Sequence, residues 1–276
     1  MPEVHRLACV PSESRLPAFS VGAQSGYVKV LEPPVTGSAS GQPLRSYYFE
    51  TSANFSGIRS ILFPEPGQMR SRKVVSRSNA RSAGKYPSWK MGRMMHWESA
   101  NELNAFRLLD CDPNVTSYSE QPCQILYVED GAERVHYPDI LATTTEGKEL
   151  WEVTPRSKAL NPEVLARTAL LSRALPRWGY AYRMMFAEDF ARQPRLSNAN
   201  LLLSLGQRAV TDYEWEDVRR TMAEQGSLVW SEACAGNYGA RGRKILCNLV
   251  LRGALSIDMN APISPATEFV ARKGGL

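Results

Sequence analysis

Two short runs, Tyr137-Pro138-Asp139 and Glu152-Val153-Thr154, constrain this chain more than any other feature, because the residues between them read as a strand folding back on itself. Ile140 to Thr145 is rich in β-branched residues, Glu146-Gly147-Lys148 is a break containing glycine, and Glu149 to Val153 is strand-like again. Such a hairpin brings Asp139, at the start of one strand, close to Glu152, near the end of the other. Carboxylates on adjacent strands offer hard oxygen ligands suited to Mg²⁺ or Mn²⁺, which keep several waters and share their coordination with substrate phosphate oxygens. Nucleases hold a divalent metal in this way, and their pattern places a lysine two residues after the second acid. Here that position is Thr154.

The 276 residues are enough for two ordinary domains, each with its own core. No segment approaches eighteen consecutive apolar residues and the opening Pro2-Glu3-Val4-His5 lacks a signal-peptide core, so a soluble, cytoplasmic chain without a membrane partner is expected. Five cysteines with no CxxC pair argue against a disulfide framework or a zinc ribbon and suggest reduced core residues. The formal charge of +5 is unevenly spread. Arg70, Arg72, Lys73, Arg77, Arg81, Lys85, Lys90 and Arg93 fall in one run without Asp or Glu, interleaved with serines and with Tyr86 and Trp89 as stacking faces. This composition predicts a nucleic-acid strap, with a solvated arm as the bland alternative.

Three regions are expected. Residues 1–66 form an N-terminal extension with β-like pieces at Gly26–Leu31 and Ser46–Glu50, divided by a Pro/Gly/Ser-rich run. Residues 67–192 follow the basic strap with a helix from His96 to Leu109, strands including Gln124–Val128 and the hairpin, a helix from Pro162 to about Leu175, and a strand at Tyr180–Phe186. That order predicts an α/β fold, a mixed sheet flanked by helices. Glu98 and Glu102, four apart on the first helix, share a face, and either can supply a third acid. Residues 193–276 read as compact helices at Asn198–Gly206, Thr211 or Asp212 to Gln225, Leu228 to about Ala235 and Arg241–Arg252, then a short strand. They suit a helix-turn-helix relative in which Arg241, Arg243 and Lys244 meet phosphates, or equally a protein-docking domain.

Arg72 to Arg81, Gly92 to Ser99, Glu120-Gln121-Pro122, Tyr137-Pro138-Asp139 and Glu152-Val153, taken in order, resemble the TnsA family, endonuclease subunits of heteromeric Tns-type cut-and-paste transposases. The likeness covers roughly residues 70–190 and, more weakly, extends over 195–268 to that family's winged-helix domain. It implies a restriction-endonuclease-like core with Glu102, Asp139 and Glu152 around Mg²⁺, hydrolysing double-stranded DNA at transposon ends beside a separate DDE-type transposase and an AAA+ regulator. Glu102 matches the family's helix acid better than Glu98 does. Thr154 departs from the family's lysine, and Lys158, then Arg156, with Lys148 also near in sequence, are the expected compensating cations.

Two other functions compete: a degenerate DNA-binding and partner-docking subunit, in which Thr154 marks a lost activity, and a stand-alone nuclease in defence or repair. His136 reads as a locally satisfied strand histidine, Trp151 and Trp178 as core aromatics, and Gln121 as a support for the acidic helix.

Overall fold

The computed structural model describes the backbone of residues 27–31, and residues 57–65, 67–68, 70–71 and 83–275 in full. The expected strand at Ser46–Glu50, Cys9, and the basic residues Arg72, Lys73, Arg77 and Arg81 lie outside the described residues.

The protein is mixed α/β. One sheet has the order β1 (Tyr27–Leu31), β2 (Gly57–Pro64), β6 (Gln124–Glu129), β7 (Ala132–His136), all antiparallel. Part of the N-terminal extension is thus built into a sheet. Ile58 and Ile61 on β2 share a core with Leu170 and Leu171 of α3 (Pro162–Ala174) and with Leu175 just beyond it, completed by Ile125, Leu150, Tyr180 and Tyr182.

The second sheet has the order β10 (Tyr180–Phe186), β9 (Gly147–Thr154), β8 (Ile140–Thr144), β5 (Val115–Glu120). The β8–β9 hairpin is antiparallel, with Ile140 opposite Trp151 and Thr144 opposite Gly147. β9 and β10 run parallel, joined by the short α2 (Arg156–Ala159) and the crossover helix α3. The expected mixed sheet flanked by helices is present. Alternation along β9 sends Leu150 to the α3 side and Trp151 to a second core under α1 (Ala100–Cys111), with Phe106, Leu109, Tyr118 and Ile140.

Between β2 and α1 the basic stretch contains a hairpin, β3 (Gly84–Ser88) and β4 (Arg93–Trp97). Helix α1 starts four residues later than expected: His96 and Trp97 belong to β4, and Ser99 caps the helix by accepting from the Glu102 N–H.

After α4 (Ala187–Phe190) come α5 (Arg195–Leu205), α6 (Asp212–Gln225), β11 (Leu228–Val229), α7 (Trp230–Ala235), α8 (Gly242–Leu251), β12 (Leu255–Ser256) and β13 (Glu268–Ala271). The three strands pair in the order β11, β13, β12. Thr211 and Glu214 form a capping box that starts α6, and Gly226, at φ 81°, ends it in the left-handed conformation. Helix α8 is buried along Ile245–Leu251 and shares the core under α1 with Ala199 and Leu202 of α5. That core runs unbroken across residue 193. Cys111, Cys123 and Cys247 are buried, whereas Cys234 is exposed. No helix among the described residues is long and apolar enough to cross a membrane.

Candidate metal centre

Asp139 follows Pro138 into β8, and its backbone is pinned on both sides: its N–H donates to the Trp151 carbonyl at 2.9 Å and its carbonyl accepts from the Gln121 N–H at 2.8 Å. Its carboxylate turns towards β9 and accepts from the Val153 N–H at 2.7 Å. Part of its surface remains accessible, yet it lies deep among neighbouring atoms. Burial raises its pKa well above the ordinary value, and the charges of Glu152, Glu102 and Glu98 raise it further, against the opposing Val153 hydrogen bond. Asp139 therefore sits in the field of three other carboxylates, drawn from β9, from α1 and from the turn before it.

Glu102 is buried and turned back on its own helix start, accepting from the Glu98 N–H and the Ser99 hydroxyl, each at 2.9 Å. This is a capping-box arrangement displaced by one residue. Glu98 accepts from the Gln121 side-chain amide at 3.2 Å. Gln121 is buried with a left-handed backbone at φ 45°, a conformation unusual outside glycine, and it bonds Asp139 with its backbone and Glu98 with its side chain. The expected support role of Gln121 thus has a geometric basis in two acids rather than in the helix alone.

Glu152, on the α3 face of β9, is held by Arg167 of α3 at 3.2 Å and contacts His136 Nε2 at 3.3 Å. The Tyr182 hydroxyl lies 3.0 Å from the same His136 nitrogen. Burial, then the charge of Arg167, pushes the His136 pKa down to about 3. With a neutral ring at neutral pH the Glu152 contact is not an ion pair, and the hydrogen-bond partner of Nε2 is the Tyr182 hydroxyl. Arg167 was not anticipated from sequence. The signal was available: Leu170 and Leu171, three and four residues on, are buried and place Arg167 on the sheet-facing side of α3.

Among the described residues no three His, Cys, Asp or Glu side chains stand gathered as a ready cage for an ion. The donor set nevertheless suits a hard divalent cation: it is all carboxylate oxygen, and it concentrates negative charge on Asp139, which a cation would relieve. Asp139 and Glu152 would hold such an ion, with Glu102 completing the set after a rotation away from its helix start.

Among the described residues, none of the cations expected to replace the missing lysine is paired with Asp139, Glu152 or Glu102. Thr154 is itself buried. Arg156 pairs with Asp189 at 2.8 Å and lies over the Phe186 ring. Lys158 is exposed on α2, and Lys148, opposite Thr143, lies near the far end of the hairpin. Of the described strap residues, Lys85 is exposed, while Lys90 donates to the Leu109 and Asp112 carbonyls at the end of α1 and Arg93 forms a two-pronged pair with Glu120. Tyr86 bonds Asp110 at 2.7 Å, and both Tyr86 and Trp89 pack against the core, so neither presents a free stacking face. Trp151 is a core aromatic stacked on Phe190, as expected.

In comparisons with known proteins, no family model and no curated protein matches the chain.

Proposed function

We propose that the protein is a metal-dependent DNA endonuclease, most closely resembling the nuclease subunit of a Tns-type transposase. The observation that carries this reading is Asp139 at the head of β8, hydrogen-bonded to β9 and surrounded by the charges of Glu152, Glu102 and Glu98. Asp139 at the head of β8 and Glu152 on the adjacent β9 carry the two carboxylates of the sequence pattern, and α1 and the turn before it supply Glu102 and Glu98, which supports a restriction-endonuclease-like core.

A bound Mg²⁺ or Mn²⁺ would polarise the scissile phosphate and lower the pKa of the attacking water. Asp139 and Glu152 hold the charge that binds the ion, the Val153 N–H fixes the Asp139 carboxylate, and Gln121 joins the acids of the two elements. In the reaction a water oxygen forms a new P–O bond, one ester P–O bond breaks, and the departing oxygen gains a proton. By the same resemblance, the substrate is double-stranded DNA at transposon ends and the partners are a DDE-type transposase and an AAA+ regulator.

The order α6, β11, α7, α8, β12, β13 supports a winged-helix-like C-terminal unit. Its third helix, which enters the major groove in DNA readers of this kind, is buried here from Ile245 onwards, leaving only Arg243 and Lys244 of its first turn exposed. We infer a docking and phosphate-contacting unit, not a base reader.

Purified full-length protein is expected to break end-containing DNA with Mg²⁺ or Mn²⁺, alone or with the transposase, and Asp139→Ala is expected to abolish breakage. Cutting that persists in Asp139→Ala removes the site assignment. A second reading, a non-cleaving DNA-binding subunit, is favoured by the buried Thr154, which puts no charge where the motif carries lysine. It predicts salt-sensitive DNA binding without metal-dependent cleavage.

A further inference from the structure

We propose that Arg167 is the resident cation of this centre, a positioning residue that holds Glu152 and supplies from helix α3 the positive charge that Thr154 does not. The inference rests on the nuclease reading above and adds to it a residue outside the sequence pattern.

Three observations converge on it. Along β9, Leu150 packs into the core under α3, so Glu152 and Thr154, two and four residues on, share the α3 face. A lysine at position 154 would project onto the face that Arg167 already reaches from the opposite element, where it pairs with Glu152 at 3.2 Å. Arg167 is also partly desolvated, with 22% of its side chain exposed, and its Nε is buried without a hydrogen-bond partner among the described residues. A buried N–H left unpaired is costly and calls for a reason beyond packing. Finally, the Glu152 carboxylate that Arg167 holds also contacts His136, whose Nε2 lies 3.0 Å from the Tyr182 hydroxyl, so the guanidinium belongs to one connected polar pocket around Glu152. Arg156, Lys158 and Lys148 have no comparable placement.

An arginine in this position has two opposed effects. It competes with a divalent ion for Glu152, and it offsets charge that builds on the phosphoryl group during hydrolysis. Removing it should therefore tighten metal binding while slowing cleavage, whereas loss of a purely structural strut would weaken both.

The test compares wild type, Arg167→Ala, Arg167→Lys and, as a charge-matched control on the exposed side of the same helix, Arg173→Ala. Mn²⁺ affinity is measured by calorimetry, the metal-saturated cleavage rate on end-containing DNA, and folding by thermal melt. Arg167→Ala is expected to bind Mn²⁺ about fivefold more tightly, the factor a partly exposed ion pair is worth, and to cleave on the order of a hundredfold more slowly at saturating metal. Arg167→Lys should recover part of the rate, and Arg173→Ala should match wild type. A folded Arg167→Ala protein that cleaves at the wild-type rate, or binds Mn²⁺ no more tightly than wild type, overturns the proposal. If wild type binds Mn²⁺ but cuts no DNA, the nuclease reading fails separately, and tighter Mn²⁺ binding by Arg167→Ala still supports the competition for Glu152.

Discussion

Asp139 and His136 both interact with Glu152, and their protonation pulls stability in opposite directions with pH. The Asp139 pKa is raised by burial and then by Glu152, Glu102 and Glu98, so the unfolded chain gives up this proton more readily than the folded one. The folded state therefore keeps its full stability below the ordinary 3.8 and loses some as pH rises from there through the raised folded value. At neutral pH without divalent ions, Asp139→Asn should melt at a higher temperature than wild type, with the difference vanishing in acid; added Mn²⁺ should raise the melting temperature of wild type only. His136 works the other way. Its pKa is lowered from 6.5 to about 3, so its contribution is complete above 6.5 and is lost as pH falls towards the folded value. Melts of His136→Gln between pH 6.5 and 4 should lose less stability than wild type over the same interval. At this scale the acids were legible because Pro138-Asp139 and Glu152 stand at strand positions that a hairpin must bring together. Arg167 was not, because it is fifteen residues from Glu152 and joins it only through the β9–α3 crossover.

The elements divide along the same line. The β8–β9 hairpin, α3 and α8 follow in sequence from β-branched runs around a glycine break, from Pro162 in a first turn and from an apolar run, and α6 is expected over Thr211 or Asp212 to Gln225, where the structure adds the Asn161 cap of α3 and the Thr211 capping box of α6. The β3–β4 hairpin does not, because Lys85, Pro87, Lys90 and Arg93 give its strands no apolar alternation and resemble a solvated strap. What holds it is Asp110, fully buried at the end of α1. Its carboxylate accepts from the Tyr86 and Ser88 hydroxyls at 2.7 Å, and from the Trp89 N–H and the Tyr118 hydroxyl at 2.9 Å. Lys90 then closes the last carbonyls of the same helix. Asp110→Ala removes the shared acceptor of four donors, of which the Tyr118 hydroxyl keeps Ser88 Oγ as a partner, and should cost about 3–5 kcal/mol by denaturant titration. Its loss would also loosen the segment that leads into Glu98 and Glu102.

For the whole molecule, the core under α1 is the integrating feature. It joins Ile140 and Trp151 of the hairpin to Ala199, Leu202, Ile245 and Leu249 of the C-terminal helices, so the expected division near residue 193 crosses a shared interior. The full chain should therefore unfold these parts together, with helix content and tryptophan fluorescence changing at one midpoint, and a chain ending at residue 192 should expose the α1 face and lose solubility. Sequence periodicity marks where helices begin and end but carries no information on which helix faces share an interior. That is why the sequence leaves α8 equally readable as a phosphate-facing helix or as part of a docking domain, although α5 and α1 cover most of it. The account's central claim is that the carboxylates around Asp139 share one divalent cation, and calorimetric titration of Mn²⁺ into the full-length protein tests it most directly. A single saturable site in wild type that disappears in Asp139→Ala is the predicted result; no binding to wild type, or equal binding to both proteins, would contradict it.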